Sequence, residues 1–379
     1  MAEAVTGLEL RSKATSAGKL ELSLEPVTLE APDEGEVIVR VEAAPINPSD
    51  LGLLLGPLLA PVDPATAVVG GTAERPTLTL DIAPERMGML VARLDQSMPV
   101  GNEGAGTVVQ AGPGLEEMVG RTVGMLGGAM YTQYRKLRAS DVVVLKDGQT
   151  AADGASMFVN PLTALGFVET MRAEGHSAIV HTAAASNLGQ MLARICLADG
   201  VPLVNVVRSE AQAAILREIG ATHIVDSSAA DFRRQLTAAV RETGATIAFD
   251  AIGGGKIGGQ ILSAMEAAAS EGAAYSRYGS TIFKQLYIYG MLDTGPTILN
   301  RNFGFSWGVS GWLLTPFMMK AGQDVVGRMR GRVVDELTTT FASRYTRTIG
   351  LAEALKPEVV AAYNRKATGE KYLIDPSRG

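Results

Sequence analysis

A chain of 379 residues, 46% hydrophobic and 20% charged, is long enough for two domains and has the composition of a globular protein. Its net charge of -6 argues against a nucleic-acid partner, which favours basic faces. A single cysteine, Cys196, excludes an internal disulfide and a cysteine-rich zinc site, and fits a reducing cytoplasm.

Residues 1–150 read as β-rich. EVIVRVEAAPI (36–46) and GAGTVVQAG (104–112) have strand character, with turn residues between them. Residues 55–97 carry several prolines and glycines with little clear period. They read as an excursion that is either a lid or partner surface, formed by the apolar clusters LGLLLGPLLAPV and MGMLVA, or a plain structural insertion.

From 151 the rhythm changes. SAIVHT, PLVNVV, HIVDSS and TIAFDAIGG are short apolar runs. The helical patterns LGQMLARICLADG, EAQAAILREIGA (with Gly220 as its stop) and ADFRRQLTAAVRETG separate them. QLYIYGML and FGFSWGVSG complete the set. Strands alternating with helices predict a doubly wound parallel sheet of Rossmann type over residues 151–314, with right-handed crossovers. Residues 315–379 then return to the first domain. The most apolar stretch, FSWGVSGWLLTPFMMKAG, is broken by Gly308, Gly311 and Pro316. It falls short of roughly 20 unbroken apolar residues and reads as buried, not membrane-spanning. The N-terminus lacks the apolar core of a targeting segment.

The stretch HTAAASNLGQMLARIC (181–196) joins the first apolar run to the first of these helices. A dinucleotide's pyrophosphate is commonly bound at such a turn, where glycines let it approach the amides of a helix N-terminus. Here the G-x-G-x-x-G positions hold Ala184, Ser186 and Gly189. Ala and Ser are small enough for close approach, and Gly189 permits tight helix–strand packing. The second apolar run ends in Arg208-Ser209, where NAD-binding folds usually place an acidic residue. A cation with a hydroxyl suits the 2′-phosphate of NADP, against the alternative of a solvated surface arginine.

Further segments extend this pattern: INPSD (46–50), PVGNEGAGTVVQAG (99–112), FVNPLTALGF (158–167), NVVR (205–208), AIGG (251–254), YG (289–290) and GEKYLI (369–374). In order and approximate spacing the chain resembles zinc-independent members of the medium-chain dehydrogenase/reductase superfamily. It is most similar to NADPH-dependent quinone oxidoreductases and 2-enoyl thioester reductases. The resemblance implies a GroES-like, β-rich substrate domain beside the Rossmann-type domain. It implies cofactor contacts from Asn160, from Ala185, Ser186, Asn187, Leu188 and Gly189, and from Arg208 and Ser209. Tyr289, Gly290, Gly311, Trp312 and Leu313 would border the nicotinamide, and Lys371 would reach toward the cleft. It also implies a homodimer through the QLYIYGML and FGFSWGVSG edge.

The zinc-dependent branch has a histidine where this chain has Asn102, and a cysteine near Asn47. The three histidines, His176, His181 and His223, all fall in the nucleotide segment, so no metal site is expected. The enoyl reductases carry a tyrosine shortly after NPSD, and none stands here; the first in the chain is Tyr131. The function expected is hydride transfer from NADPH to a quinone, enone or enoyl group. Asn47, Asn102 and Thr163 are the candidate donors to the developing oxyanion, with turn stabilisation as the alternative for Asn47. The other readings are an alcohol or ketone oxidoreductase of the same fold, and an NADPH-binding protein without turnover.

Overall fold

The computed structural model describes residues 3–56, 62–365 and 370–378. The chain divides into two compact units, residues 1–159 with 334–379, and residues 160–333. The sequence pattern alone places these boundaries at 150 and 314.

The first unit is built on two mainly antiparallel sheets. One runs in the order Val68–Gly71, Pro76–Asp81, Lys19–Leu29, Val5–Ala14, Met98–Pro99. Leu20, Leu22 and Leu24 alternate with more exposed neighbours, so one face of that strand is core. The other sheet centres on Glu36–Pro45, flanked by Glu103–Ala111 and by Tyr372–Ile374 near the C-terminus. The returning chain thus completes the first unit by pairing Leu373 and Ile374 with Pro45 and Ala44.

The 55–97 excursion contributes two strands, Val68–Gly71 and Pro76–Asp81, to the first sheet. Pro76–Asp81 pairs antiparallel with Lys19–Leu29, setting Leu78 opposite Leu22 and Leu80 opposite Leu20, and all four are buried. Arg93 donates to the Leu53 carbonyl and to Ser12 Oγ, tying the end of the excursion down. Of the first apolar cluster, Leu51, Leu54 and Leu55 are core, and 57–61 lie outside the described residues. In the second, Leu90 is buried while Met89 and Val91 are exposed.

The second unit holds a six-stranded, wholly parallel sheet. In chain order its strands are Ile179–His181, Leu203–Val207, His223–Asp226, Ile247–Asp250, Lys284–Ile288 and Trp307–Gly311. Spatially they run third, second, first, fourth, fifth, sixth. That order reverses between the first and fourth strands, and ligands of such sheets bind beyond the carboxyl ends of those two. The helices between them stop where the sequence demands. Gly200, Gly220 and Gly244 take left-handed conformations immediately after Asn187–Asp199, Glu210–Ile219 and Phe232–Thr243.

The helices Leu314–Ala321 and Gln323–Asp335 stay with this unit almost to their end, which moves the boundary from 314 to 333. The cause is tertiary. Phe317 stacks on Trp312, Met329 and Val333 are buried, and Arg332 forms an ion pair with Asp199 at 2.9 Å. Among the described residues no helix is long and apolar enough to cross a membrane.

Candidate functional site

The first strand of the parallel sheet ends at His181, and the chain then turns through Thr182–Ala185 into the helix Asn187–Asp199. Ala183 sits at φ +50°, a left-handed conformation that non-glycine residues rarely take and that marks a constrained turn. Ser186 caps the helix, its Oγ accepting from the Gly189 amide at 3.1 Å. Gly189 is required by space: a Cβ there would lie 2.2 Å from the Ala184 carbonyl oxygen and 2.8 Å from its Cα. Ala184 and Ala185 are buried. The turn therefore brings a helix N-terminus hard against the strand end with no bulky side chain in the way.

The two strand ends at the reversal point are tied together. Thr182 Oγ1 donates to Asp250 Oδ1 at 2.6 Å and accepts from the Ala251 amide at 2.9 Å. The same carboxylate accepts from the Ile252 and Gly253 amides. Gly290, just past the fifth strand, must also lack a side chain, since a Cβ there would lie 2.5 Å from the Ala251 carbonyl oxygen. Tyr289 beside it approaches His181, with 2.8 Å between Oη and Nε2.

Arg208 follows the second strand and is exposed. Its neighbour Glu210 is engaged by Arg217, and no ion pair to Arg208 is found among the described residues. Ser209 caps Glu210–Ile219, its hydroxyl oxygen accepting from the Gln212 amide. Beyond the sixth strand, Trp312 is buried in an aromatic cluster with Phe167, Phe249 and Phe317. Its indole donates to Thr170 Oγ1 at 3.0 Å. Leu313 is exposed and Gly311 ends the edge strand. Asn160 and Thr163 lie in the first turns of the helix Val159–Ala173. Thr163 is buried, and its hydroxyl has no hydrogen-bond partner among the described residues.

The remaining candidates belong to the first unit and converge on two carboxylates, Asp50 and Glu103, that are not among the sequence candidates. Asn47 is buried, and its Nδ2 donates to Glu103 Oε1 at 2.8 Å. Its backbone amide donates to Asp50 Oδ2 at 2.7 Å. The amide donor of Asn47 is thus committed inside the fold, in keeping with the turn-stabilising alternative. Asn102 donates its backbone N–H to Asp50 Oδ1, and its Nδ2 to Ser49 Oγ on a partly exposed surface. Glu103 is fully buried and also accepts from the Phe158 and Val159 amides. Lys371 donates to Ser156 Oγ at 2.7 Å, where the Tyr345 hydroxyl also donates at 2.9 Å. Asp50 lies three residues after Asn47, and Glu103 directly follows Asn102. A capping pattern and an acidic neighbour were the signals available for them, whereas Ser156 and Tyr345 had none.

Burial governs the electrostatics of this cluster. It pushes the Asp50 carboxyl up to about 7, against the amides that hold it down. It raises Glu103, opposed by the Lys371 ammonium, and lowers Lys371 to about 8. The fold thus favours protonated Asp50. That stabilisation is complete below the ordinary carboxyl pKa of 3.8 and is lost as pH rises through about 7. Asp50→Asn, which stays neutral, should therefore gain on the unaltered protein by about 2–3 kcal/mol between about pH 5 and about pH 8. Denaturant titrations at both pH values measure this, and a stability difference that does not change with pH would contradict it.

Among the described residues no group of three or more His, Cys, Asp or Glu is placed to hold a metal. His176 meets Thr246, His181 meets Tyr289 and His223 meets Glu242.

Residues 188–274 match the family model described as zinc-binding dehydrogenase. The mitochondrial enoyl-[acyl-carrier-protein] reductase of Xenopus tropicalis is 29% identical over 215 residues, 54% of this chain and 51% of that protein. The chain thus spans about half the length of the curated relatives it matches. A Mesorhizobium loti structure, named provisionally as an NADPH:quinone reductase, superposes with a TM-score of 0.70 at 24% identity, covering 99% of both chains. The Etr1p complex with NADP and crotonyl-CoA superposes with a TM-score of 0.66 at 16% identity, covering 98% of this chain and 100% of that one. The fold is that of these two structures, a parallel Rossmann-type sheet with a separate GroES-like β-rich domain. The segment that matches the zinc-binding dehydrogenase model lies wholly in the second unit.

Proposed function

We propose that the protein is an NADPH-dependent oxidoreductase that reduces an electrophilic conjugated substrate: a quinone, an enone or an enoyl thioester. One conjunction carries the reading. The reversal point of a 3-2-1-4-5-6 parallel sheet is cleared of side chains at Gly189 and Gly290, and an exposed, unpaired Arg208 stands at the tip of the second strand. Residues 160–333 act as the dinucleotide-binding domain, and the rest of the chain as the substrate domain. NADPH, when bound, supplies the hydride. The amides of 185–189 hold the pyrophosphate at the helix N-terminus, and Arg208 holds the 2′-phosphate. Asn160, Thr163, Tyr289, Gly290, Gly311, Trp312 and Leu313 surround the nicotinamide side. The Thr163 hydroxyl is a free donor there, while Trp312 contributes through its backbone and its packing. Asn102 keeps a partly exposed amide for a substrate oxygen. Lys371, held by Ser156, supports the substrate-domain cluster. Fluorescence titration tests the cofactor assignment: NADPH should bind at least roughly tenfold more tightly than NADH, and equal affinities would contradict it.

The protein forms a homodimer through Trp307–Gly311, the open edge of the parallel sheet. Tyr275, Phe283 and Phe305, in this part of the chain, are each more than half exposed. An apolar open edge of this kind is an aggregation hazard unless it is paired. Light scattering at micromolar concentration should give twice the chain mass, and a monomer would contradict the dimer. Cys196 is buried with its thiol pushed up to about 12. A buried, protonated thiol of this kind is chemically inert.

A further inference from the structure

His181 ends the first strand of the parallel sheet and is fully buried. Its ring stacks on Tyr289 at 5.8 Å, and Phe167 packs against both. Its Nε2 lies 2.8 Å from Tyr289 Oη, and its Nδ1 is buried with no hydrogen-bond partner. Burial keeps the imidazole neutral, lowering its pKa to about 3, so one proton is shared between two nitrogens.

The partners decide where that proton sits. On Nδ1 it would make a buried N–H with no acceptor, and orphaned buried donors are the rarer and costlier defect. On Nε2 it is donated to Tyr289 Oη. The tyrosine oxygen is then the acceptor of the pair, and its own hydrogen is left over. No acceptor for that hydrogen is found among the described residues. The phenol does not lose it, because burial and the nearby Asp250 carboxylate push its pKa up. Tyr289 is nonetheless partly exposed. It sits where its amide meets the Asp250 carbonyl, next to Gly290 and the Ala251 backbone, at the reversal point of the sheet.

We propose that His181 sets the hydroxyl of Tyr289 as a hydrogen-bond donor reserved for a carbonyl oxygen of the bound reactants. This rests on the reading of the site as a nicotinamide site. Two carbonyls share that chemistry, the carboxamide of the nicotinamide and the conjugated carbonyl of the substrate. The donation polarises or orients either one, and no proton leaves the tyrosine.

The test uses the whole protein. Nitrogen NMR of histidine-labelled protein should show His181 protonated at Nε2 and bare at Nδ1, a readout independent of activity. Tyr289→Phe keeps the ring stack and should leave thermal stability close to that of the unaltered protein. If the carboxamide is the acceptor, NADPH affinity falls roughly tenfold; if the substrate carbonyl is, kcat/KM at saturating NADPH falls by a similar factor and NADPH affinity holds. A proton on Nδ1, or a folded Tyr289→Phe protein with unchanged NADPH affinity and unchanged kcat/KM, would overturn the proposal and leave the cofactor reading standing. Failure of the unaltered protein to bind NADPH would overturn both.

Discussion

Gly189→Ala is expected to weaken NADPH and NADH together by more than roughly tenfold, and to destabilise the nucleotide-type unit. The added methyl would meet backbone, not a side chain that can swing aside: the Ala184 carbonyl oxygen at 2.2 Å and its carbon at 2.6 Å. The helix Asn187–Asp199 must then move away from the turn. Overpacking of this kind costs about 1–3 kcal/mol. The move would also loosen the Gly189 amide from Ser186 Oγ and displace the N-terminal amides that the pyrophosphate needs. Isothermal titration with both cofactors, alongside a thermal melt, measures the two effects. A variant with unaltered melting and unaltered affinity would show that the turn is neither tightly packed nor a cofactor site.

Arg208→Ala should act quite differently. A guanidinium offers a 2′-phosphate paired, charge-assisted hydrogen bonds and offers the hydroxyl of NADH nothing comparable. Such a contact is worth about 1.5–3 kcal/mol, or roughly ten- to hundredfold in affinity. NADPH should weaken by that factor while NADH stays nearly constant. Since Glu210 is engaged by Arg217, no competing carboxylate beside Arg208 needs to be displaced. An unmoved NADPH/NADH ratio would reduce Arg208 to a solvated surface residue.

Much of the second unit was legible because its signals are local. Six apolar runs, the glycine stop at Gly220, and the small residues of 182–189 each act within a few positions of themselves. Gly189 was readable as a packing glycine for the same reason. The strand Pro76–Asp81 does alternate, with Leu78 and Leu80 on one face, but prolines and glycines around it masked a pairing made with residues some 60 positions away. The boundary at 333 depends on Arg332 reaching Asp199 and on the burial of Met329 and Val333, contacts that no local pattern announces. The same holds for Asn47 on Glu103, Lys371 on Ser156 and His181 on Tyr289. Position pointed to Asn47 and the family resemblance to Lys371, but only the fold shows that their polar groups are already committed to neighbours.

NADPH-dependent reduction of a conjugated electrophile is read out by consumption of NADPH by the purified protein, followed by its absorbance. The panel would contain a quinone, an enone, an enoyl thioester and a simple ketone. NADPH should be oxidised steadily with at least one of the three conjugated substrates and not with the ketone, and NADH should turn over much more slowly. Tight NADPH binding without consumption in the presence of any conjugated substrate would contradict it.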